Sequence, residues 1–392
     1  MRQNIMICAT ARTAIGNYSG ALARVPAVNL GAHVIAEVLR RAELDASAVD
    51  ECFMGCVLTG GMGQAPARQA WLRAGGPNSV PCTTVSKVCG SGLQAVVEAA
   101  RGVQLGEFQV AVAGGMENMS AAGRFLPPGC NTIEEAIDIV VHDGLWDVYS
   151  NKHMGTICDE LAAAEGLSRE EQDSFAIRSY RRAIDASQEG LTAWEIHPID
   201  APNAEGVVQR FAIDEAPRSF REDKIPHIRP AFVRDGSGTI TAANASSIND
   251  GAAALVLASE DAVARYGLTP LARIVSWGSG AVAPEKYPYG PVEAARNALA
   301  KANLNIADID YWEINEAFAV VALLVMRQLG LTPEQVNLLG GAVAIGHPIG
   351  ASGARVLGTL INVLRLQSGR YGAATLCIGG GEGIAMIIER LS

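Results

Sequence analysis

Three residues in glycine-rich segments of the sequence have the types needed for thiol chemistry. His347 lies in GGAVAIGHPIGASGAR, Cys377 in TLCIGGGEGIAM and Cys89 in KVCGSGLQAV. One thiol can attack an acyl group, an imidazole can accept its proton, and a second thiol can move another proton. Backbone N–H groups next to the glycines can bind an oxyanion. This combination predicts acyl transfer through a cysteine, coupled to carbon–carbon bond chemistry.

Each of these residues, and Asn315 in EINEAFAV, also has a plainer interpretation. Cys89 is expected at a helix N-terminus, where the helix dipole and an imidazole favour the thiolate, but a buried small hydrophobic residue is the alternative. His347 lies in a turn, and its alternative is a surface histidine. Cys377 ends a buried strand and would by itself be structural. Asn315 can orient a water or polarise a carbonyl, or it can cap a helix. Their joint occurrence favours a site.

The elements that position these residues occur twice. Segment 39–44 resembles 299–304, and 48–54 resembles 308–314, both at an offset of 260 residues. With small slips, CGSG of the Cys89 turn corresponds to GASG after His347, and VAGG at 112–115 to CIGG at 377–380. Two copies are too few for a solenoid. The duplication predicts an α/β protein of two similar halves packed together.

Apolar spacing assigns the elements within the halves. Helical spacing is found for Leu93, Val96, Val97 and Ala100, and again for Val356, Leu360, Val363 and Leu364. Short apolar runs at 110–113, 373–378 and 384–388 predict buried strands. Segment 119–240 has no counterpart and predicts an inserted loop domain over the substrate. The predicted division is therefore 1–118 with 241–268, the insertion 119–240, and 269–392.

Composition excludes several classes of protein. The 392 residues carry 31 basic and 41 acidic side chains, a net charge of −10, which argues against nucleic-acid binding. No apolar run reaches membrane-spanning length. A strand-like run begins at Ile5, so we expect no signal or transit peptide. The eight cysteines lack disulfide or zinc spacing, and Cys52 and Cys56 are interpreted as buried thiols of a cytoplasmic protein.

The four motifs VCGSG, NEAFA, GHPIGASGAR and CIGGG resemble those of the thiolase family, in the family's order and over essentially the whole chain. The resemblance implies that Cys89 is the nucleophile, that His347 activates it and that Cys377 moves the α-carbon proton. It implies one oxyanion hole from His347 and Asn315 through a water, and another from the N–H groups of Cys89 and Gly379. It also implies a five-layered αβαβα core of two duplicated halves with a loop domain, assembled as a homotetramer or homodimer.

Within the family the sequence is similar to the acetoacetyl-CoA thiolases. The HMG segment implies that His153 and Met154 lie beside the acyl and pantetheine groups, and AANAS implies that Ser246 hydrogen-bonds pantetheine. Phe318 of NEAFA is expected beside the substrate. Tyr287 replaces the methionine of many bacterial members, which resembles the mitochondrial type that accepts a 2-methyl branch.

Two further expectations concern ions and phosphates. The run GLWDVYSNKHMG resembles the potassium-binding type, which implies a K⁺ site formed by the tyrosine and backbone carbonyls, with a packed aromatic as the alternative for the tyrosine. The implied K⁺ ligands are Tyr149, Ala242, Ala243, Ala245 and Val343. The resemblance implies that one or two basic residues of 217–234 bind the CoA phosphates, and the alternative for this run is a solvated face. The candidates are Arg218, Arg221, Lys224, Arg229 and Arg234.

The resemblance therefore implies acetyl-CoA C-acetyltransferase activity on acetyl-CoA, acetoacetyl-CoA and CoA, with no tightly bound cofactor. The closest alternative is a 3-ketoacyl-CoA thiolase for longer chains. A decarboxylating ketoacyl synthase fits less well, because those enzymes pair one cysteine with two histidines. An inactive acyl-CoA-binding scaffold would not need the second thiol.

Overall fold

The computed structural model describes residues 3–202 and 206–391 of the chain. Its strands in chain order are β1 Ile5–Arg12, β2 Gly16–Asn17, β3 Glu51–Gly55, β4 Cys82–Val85, β5 Val110–Asn118, β6 Arg124–Phe125, β7 Ile137–Asp138, β8 Trp146–Asp147, β9 Lys152–His153, β10 Ile199–Pro202, β11 Val208–Phe211, β12 Asn249–Ser259, β13 Ala272–Ala281, β14 Tyr311–Ile314, β15 Tyr371–Ile378 and β16 Glu382–Arg390.

The helices in chain order are α1 Ala27–Arg41, α2 Pro66–Arg73, α3 Ser91–Leu105, α4 Met154–Ala164, α5 Arg169–Gln188, α6 Glu260–Tyr266, α7 Gly290–Ala302, α8 Ala319–Leu329, α9 Ala342–Ile345 and α10 Ser352–Gln367. Short 3₁₀ turns occur at Ala46–Ala48, Ile133–Glu135, Leu191–Trp194, Ala216–Ser219, Glu222–His227, Pro284–Tyr289, Ile306–Asp308 and Pro333–Gln335, and a π-helical turn at Val140–Leu145.

The elements assigned from apolar spacing are confirmed. The two predicted helical patterns form the buried faces of α3 and α10, and the three predicted strand runs lie within β5, β15 and β16. Every residue of β5 and β12 is buried. Strands covered on both faces lose the alternation of apolar and polar residues, which is why these runs are continuously apolar.

The duplication is visible in the sheet. The strand order is β14-β15-β16-β13-β1-β12-β5-β3-β4, so β13, β16, β15 and β14 repeat the path β1, β12, β5 and β3. The β1–β12 pairing slips between Ile7 and Ala9, and the β13–β16 pairing slips between Ile274 and Ser276. The two halves also join edge to edge through an antiparallel β1–β13 pairing.

The predicted five layers are confirmed by the cores between them. Helices α1 and α2 cover the outer face of the first half's sheet, and α7 and α8 cover that of the second half's sheet. Helices α3 and α10 pack on each other between the strands of the first half and those of the second half, in a core to which both halves contribute. Because α3 and α10 both begin in this central layer, the turns that precede them lie at the contact between the halves.

Glycines allow α3 and α10 to approach closely at their first turns. A Cβ at Gly353 would lie 2.2 Å from the backbone nitrogen of Leu93, and one at Gly92 would lie 2.9 Å from the carbonyl oxygen of Gly350. Real side chains do not tolerate such distances, so only glycine fits at these two contacts. The Cys89 and His347 turns are thereby held side by side.

Segment 119–240 contains β6 to β11, α4 and α5, and it is tied to the core by buried charges. Arg12 of β1 donates to Glu195 at 2.8 Å and to both carboxylate oxygens of Asp214 at 2.8 and 3.0 Å. The exact boundaries of the three predicted units stay a prediction, and residues 1–2, 203–205 and 392 within them lie outside the described residues. Among the described residues, no helix has both the length and the apolar character needed to cross a membrane.

Candidate active site

A cavity of about 270 Å³ lies where the two halves meet the inserted segment. Most of the site residues predicted from the sequence line it. They are Cys89, His153, Met154, Ser246, Tyr287, Phe318, His347, Cys377 and Gly379. Residues more than 250 positions apart thus share one small space, which is the arrangement that two duplicated turns facing each other produce.

The Cys89 turn is strained. Val88 has φ of 45°, a left-handed conformation that is unusual for a β-branched residue. Gly90 caps α3, so Cys89 lies just before the helix as predicted. Lys87 forms an ion pair with Glu382 of β16, which attaches the turn to the other half. The strain and the attachment hold the sulfur at the cavity surface.

The sequence predicted a lowered pKa for the Cys89 thiol, and this prediction is wrong. Burial raises the pKa of the Cys89 thiol to about 11, although backbone N–H groups of Gly379 and of Cys89 itself act to lower it. The desolvation of an anion outweighs the helix terminus here. The resting site therefore holds a neutral thiol. The same two N–H groups lie where they can bind an oxyanion formed next to the sulfur.

His347 is buried, with 5% of its surface exposed, so the surface alternative is wrong. Its backbone N–H donates to the carbonyl of Ser247 and to the Asn249 side chain. Gly346 has φ of 102°, and a Cβ there would lie 2.2 Å from the Asn249 side chain. Only glycine permits this turn, which fixes the imidazole against the cavity.

The hydrogen bonds of the His347 ring define its tautomer. Nδ1 lies 2.6 Å from the Ser352 hydroxyl, which itself donates to the carbonyl of Pro348. The hydroxyl has one hydrogen, so it accepts from Nδ1–H and leaves Nε2 with its lone pair. Burial, and then the charge of Arg355, lower the pKa of His347 to about 3. The ring is therefore neutral, and Nε2 carries the lone pair that can accept a proton.

Asn315 lies behind Nε2 of His347. Its Nδ2 is 3.3 Å from Nε2, and the side chain is fully buried. Helix α8 begins at Ala319 and is capped by Phe318, so the helix-cap alternative for Asn315 is wrong. Asn315 follows β14, as its sequence position predicted. An amide donor next to an imidazole is suited to binding a carbonyl or enolate oxygen.

Cys377 is buried near the end of β15 and faces the same cavity as Cys89. Burial raises its thiol pKa well above the ordinary value, and the nearby sulfurs of Cys89 and Cys158 raise it further. All eight cysteines are free thiols, and Cys52 and Cys56 are buried as predicted. Two neutral thiols and one neutral imidazole at a common cavity provide the acid–base groups of a two-step acyl transfer.

Aromatic side chains form the wall of the cavity. Tyr287 is 1% exposed, and its hydroxyl donates to the carbonyl of Met154 at 3.1 Å. His153 accepts from the Gly155 N–H through Nδ1 and stacks on Phe232 with 4.7 Å between ring centroids. The wall is rigid because each ring has a hydrogen bond or a stacking partner. Phe232 was missed from the sequence, since nothing in its local pattern distinguishes it from a core phenylalanine.

Some predicted residues lie elsewhere. Arg218 lines a separate cleft with Asp214 and Phe220, away from the reactive cavity. Tyr149 is 73% exposed, so the packed-aromatic alternative for it is wrong. Among the predicted K⁺ ligands, Ala243, Ala245 and Val343 are buried and Ala242 is exposed.

Two residues of the quoted GHPIGASGAR motif were missed as participants. Ser352 holds Nδ1 of His347, and Arg355 lies behind Asn315 with Nη2 3.4 Å from its Oδ1. Ser352 corresponds to Ser91 in the duplicated turn, so the repeat was the available signal for it. For Arg355 the available signal was an arginine at the start of the apolar helical run 354–364, since an arginine buried by such a run needs a specific partner.

Family models match almost the whole chain. The model described as Thiolase, N-terminal domain matches residues 5–261, and the model described as Thiolase, C-terminal domain matches residues 268–390. Together they include every cavity residue named above.

Full-length relatives agree with the family models. The chain is 46% identical to the acetyl-CoA acetyltransferase of Pseudomonas aeruginosa, over 99% of this chain and 100% of the relative. It is 45% identical to the cytosolic acetyl-CoA acetyltransferase of Rattus norvegicus, over 98% of each chain. Among solved structures, the Acat5 thiolase from Ascaris suum in complex with coenzyme A matches with a TM-score of 0.94 and 39% identity, over 99% of this chain and 100% of that chain.

Proposed function

The chain belongs to the thiolase family, and on that premise we propose that it is an acetyl-CoA C-acetyltransferase. It condenses two acetyl-CoA molecules to acetoacetyl-CoA and CoA and catalyses the reverse thiolysis. The observation that carries this proposal is the meeting of Cys89, Cys377 and His347 at one cavity. An acyl carrier needs one thiol, whereas carbon–carbon bond formation also needs a group that removes a proton from the α-carbon.

The first half-reaction starts from the neutral thiol and the neutral imidazole. Nε2 of His347 takes the thiol proton as the Cys89 sulfur attacks the thioester carbonyl. The N–H groups of Cys89 and Gly379 bind the resulting oxyanion, since both already point at the sulfur. Collapse of the tetrahedral intermediate breaks the bond to the CoA sulfur, which takes the proton from His347 and leaves. Cys89 then carries the acetyl group.

The second half-reaction forms the carbon–carbon bond. Nε2 of His347 takes the proton of the Cys377 thiol, and the resulting Cys377 thiolate removes a proton from the methyl group of a second acetyl-CoA. Nε2–H of His347 and the amide of Asn315 then donate to the enolate oxygen. The enolate carbon attacks the acetyl group on Cys89. The bond to the Cys89 sulfur then breaks, the sulfur takes the proton from Nε2 of His347, and acetoacetyl-CoA leaves, while Cys377 keeps the proton from the methyl group. Each group returns to its resting protonation state.

The proposal is tested by trapping the acyl-enzyme. Acetyl-CoA alone should leave one acetyl group on Cys89, seen by mass spectrometry after rapid quench. Cys89→Ala should lose acyl transfer, because no nucleophile remains. Cys377→Ala is the matched control, since it should still be acetylated yet fail to form acetoacetyl-CoA. A label on Cys377 would reverse the two assignments, and no label in wild-type protein would favour an inactive acyl-CoA-binding scaffold.

Chain length separates this activity from the longer-chain 3-ketoacyl-CoA thiolase. The cavity is small, and buried Tyr287 is fixed against Met154, so the wall cannot retreat without losing a hydrogen bond. We expect the enzyme to prefer acetoacetyl-CoA, to accept the 2-methyl derivative, and to use chains of about eight carbons poorly, because each methylene changes discrimination by roughly 1–3 kcal/mol. Similar kcat/KM values for short and long chains would make the longer-chain activity correct.

The remaining parts of the proposal concern ion, location and assembly. A K⁺ ion bound by backbone carbonyls of Ala242, Ala243, Ala245 and Val343 with Tyr149 would stiffen the substrate loop. The rat relative is named as cytosolic, which supports a cytoplasmic location for this enzyme. The inserted segment exposes several large apolar side chains, a pattern typical of subunit contacts and consistent with a homotetramer. They are Phe125, Leu126, Ile133, Val141 and Trp146. Light scattering on the purified protein would distinguish a tetramer from a dimer or monomer.

A further inference from the structure

Arg355 is a buried cation that the reaction steps above do not use. It lies in the first turn of α10 with 2% of its side chain exposed, and its nearest carboxylate is that of Glu313, with Nη1 and Oε2 4.0 Å apart. That distance is too long for a hydrogen bond, and Nη1 and both Glu313 oxygens have no hydrogen-bond partner in the described part of the chain. Glu313 therefore balances the charge of Arg355 at ion-pair distance, but without a hydrogen bond it does not fix the orientation of the guanidinium.

Within the described part of the chain, Arg355 donates a hydrogen bond to the side chain of Asn315. Nη2 of Arg355 is 3.4 Å from Oδ1 of Asn315, while Nδ2 of the same amide is 3.3 Å from Nε2 of His347. A primary amide can be rotated by 180°, which exchanges a donor for an acceptor at nearly the same place. A guanidinium has donors only, so it selects the orientation in which Oδ1 faces Arg355.

The orientation of the amide decides what Nε2 can do. With Nδ2 toward Nε2, the amide donates to a lone pair, which matches the tautomer that Ser352 imposes from the other side of the ring. With the amide reversed, Oδ1 would accept from Nε2–H, and the ring would have no free base. The reversed amide would also present an acceptor where the enolate oxygen needs a donor.

We propose that Arg355 is a positioning residue that fixes the Asn315 amide with its donor toward His347, and thereby keeps Nε2 available as the base and Nδ2 available to the enolate. This inference deepens the proposed function and rests on it for the readout of turnover. The charged groups around Arg355 are Glu313, Glu195, Glu316 and Arg12, and the thiols of Cys89 and Cys377 share the cavity with His347.

A double-mutant cycle tests the proposal. Arg355→Met removes the donor and keeps an apolar side chain of similar length, and it should lower kcat by about 10-fold or more with little change in KM. Arg355→Lys keeps a cationic donor and should recover most of that loss. In an Asn315→Ala background no amide remains to be oriented, so Arg355→Met should cost less than about two-fold. Equal losses in both backgrounds would overturn the proposal, because a merely structural arginine acts independently of the amide.

A second readout needs no substrate. His347 assists the ionisation of Cys89, so alkylation of Cys89 by iodoacetamide, followed by mass spectrometry across pH, should slow in Arg355→Met and recover in Arg355→Lys. Arg365→Met on the exposed face of the same helix is the matched control and should change neither rate.

If wild-type protein lacks thiolase turnover, the proposed function fails, while the alkylation cycle still decides whether Arg355 acts through Asn315. If Arg355→Met does not fold, Arg355→Lys is measured in both backgrounds. Its remaining loss of kcat should disappear in Asn315→Ala, and a loss of the same size there overturns the proposal.

Discussion

The turn that carries Cys89 and the turn that carries His347 are two copies of one local structure. Each leads into a helix of the central layer whose first residue is a serine, Ser91 in one copy and Ser352 in the other. The Ser91 hydroxyl donates to the carbonyl of Val88 at 2.7 Å, and the Ser352 hydroxyl donates to the carbonyl of Pro348 at 2.9 Å. The difference lies in what each hydroxyl accepts. Ser91 accepts a backbone N–H, whereas Ser352 accepts Nδ1–H of the imidazole.

A second pair of corresponding residues shows the same divergence. VAGGME of β5 and CIGGGE at the end of the chain place Glu117 and Glu382 at matching positions, and each carboxylate reaches the turn of the other half. Glu117 is buried and accepts backbone N–H groups from Val57, Leu58 and Gly350. The Glu382 side chain is 43% exposed and pairs with Lys87. The His347 turn is thus fixed by a buried clamp, and the Cys89 turn by a solvated ion pair.

The two halves therefore have different roles, since one supplies the base and the other the nucleophile. The base must keep one tautomer and one position, so its turn is buried and fully hydrogen-bonded. The nucleophile must be reached by an acyl-CoA, so its turn lies at the cavity surface and its outer support is exposed to water. Duplication supplied the geometry twice, and the contacts around each copy decide which chemistry it performs.

The largest expected effect that separates the copies is on turnover. Ser352→Ala removes the acceptor of Nδ1–H, which frees the ring to rotate or change tautomer, and kcat should fall roughly 10- to 100-fold because a misplaced base loses its near-attack geometry. Ser91→Ala removes an equivalent hydroxyl that touches no reacting group, and kcat should change by less than about three-fold. Steady-state thiolysis of acetoacetyl-CoA measures both. Equal losses would mean that both serines only close their turns.

The same comparison shows what sequence could and could not predict. The motifs around Cys89, His347 and Cys377 specify the reacting groups, because residue type and glycine spacing are local properties. The pKa of Cys89 was predicted in the wrong direction, because burial at the junction of two halves is not a local property and it outweighs the helix terminus. The β1–β13 pairing was also not predicted, because antiparallel register between distant segments depends on tertiary packing and not on local sequence.

The next effect concerns stability and the two carboxylates. Glu117→Met leaves buried N–H groups without an acceptor, so the free energy of unfolding should fall by about 1–3 kcal/mol. Glu382→Met removes one half of an exposed ion pair and should cost less than about 1 kcal/mol. Thermal unfolding of the two variants and the wild-type protein compares them directly. A larger loss for Glu382→Met would contradict the division between a buried clamp and a solvated pair.

The pH dependence of stability sharpens this test. Burial raises the pKa of Glu117 from 4.5 to about 7, so between these values the native protein keeps a proton that the unfolded chain releases. The contribution of this group to stability is therefore present below pH 4.5 and is lost as pH rises toward 7. Glu117→Gln cannot titrate, so its unfolding temperature relative to wild type should rise between pH 5 and pH 8. Parallel curves for the two proteins would show that Glu117 does not hold this proton.

The smallest expected effect concerns the K⁺ ion and again separates the two turns. Val343 lies in α9, immediately before the His347 turn, and its N–H donates to the buried carboxylate of Glu316 at 3.1 Å. An ion on the Val343 carbonyl would stiffen this turn and the loop at Ser246, and would leave the Cys89 turn unaffected. K⁺ should then lower KM for acyl-CoA by roughly five-fold relative to Na⁺, the lower end of ordinary coupling between two ligands.

Equal ionic strength is essential in this comparison, because salt alone weakens the attraction between the CoA phosphates and basic side chains. Tyr149→Phe should reduce the difference between K⁺ and Na⁺ while leaving the rate of Cys89 acetylation at saturating acetyl-CoA unchanged. A K⁺ effect that acts on the acetylation rate instead of KM would place the ion's influence on the Cys89 turn and would reverse the assignment. Equal rates in the two salts would leave the carbonyl cluster beside Val343 without an ion, and the His347 turn held by protein contacts alone.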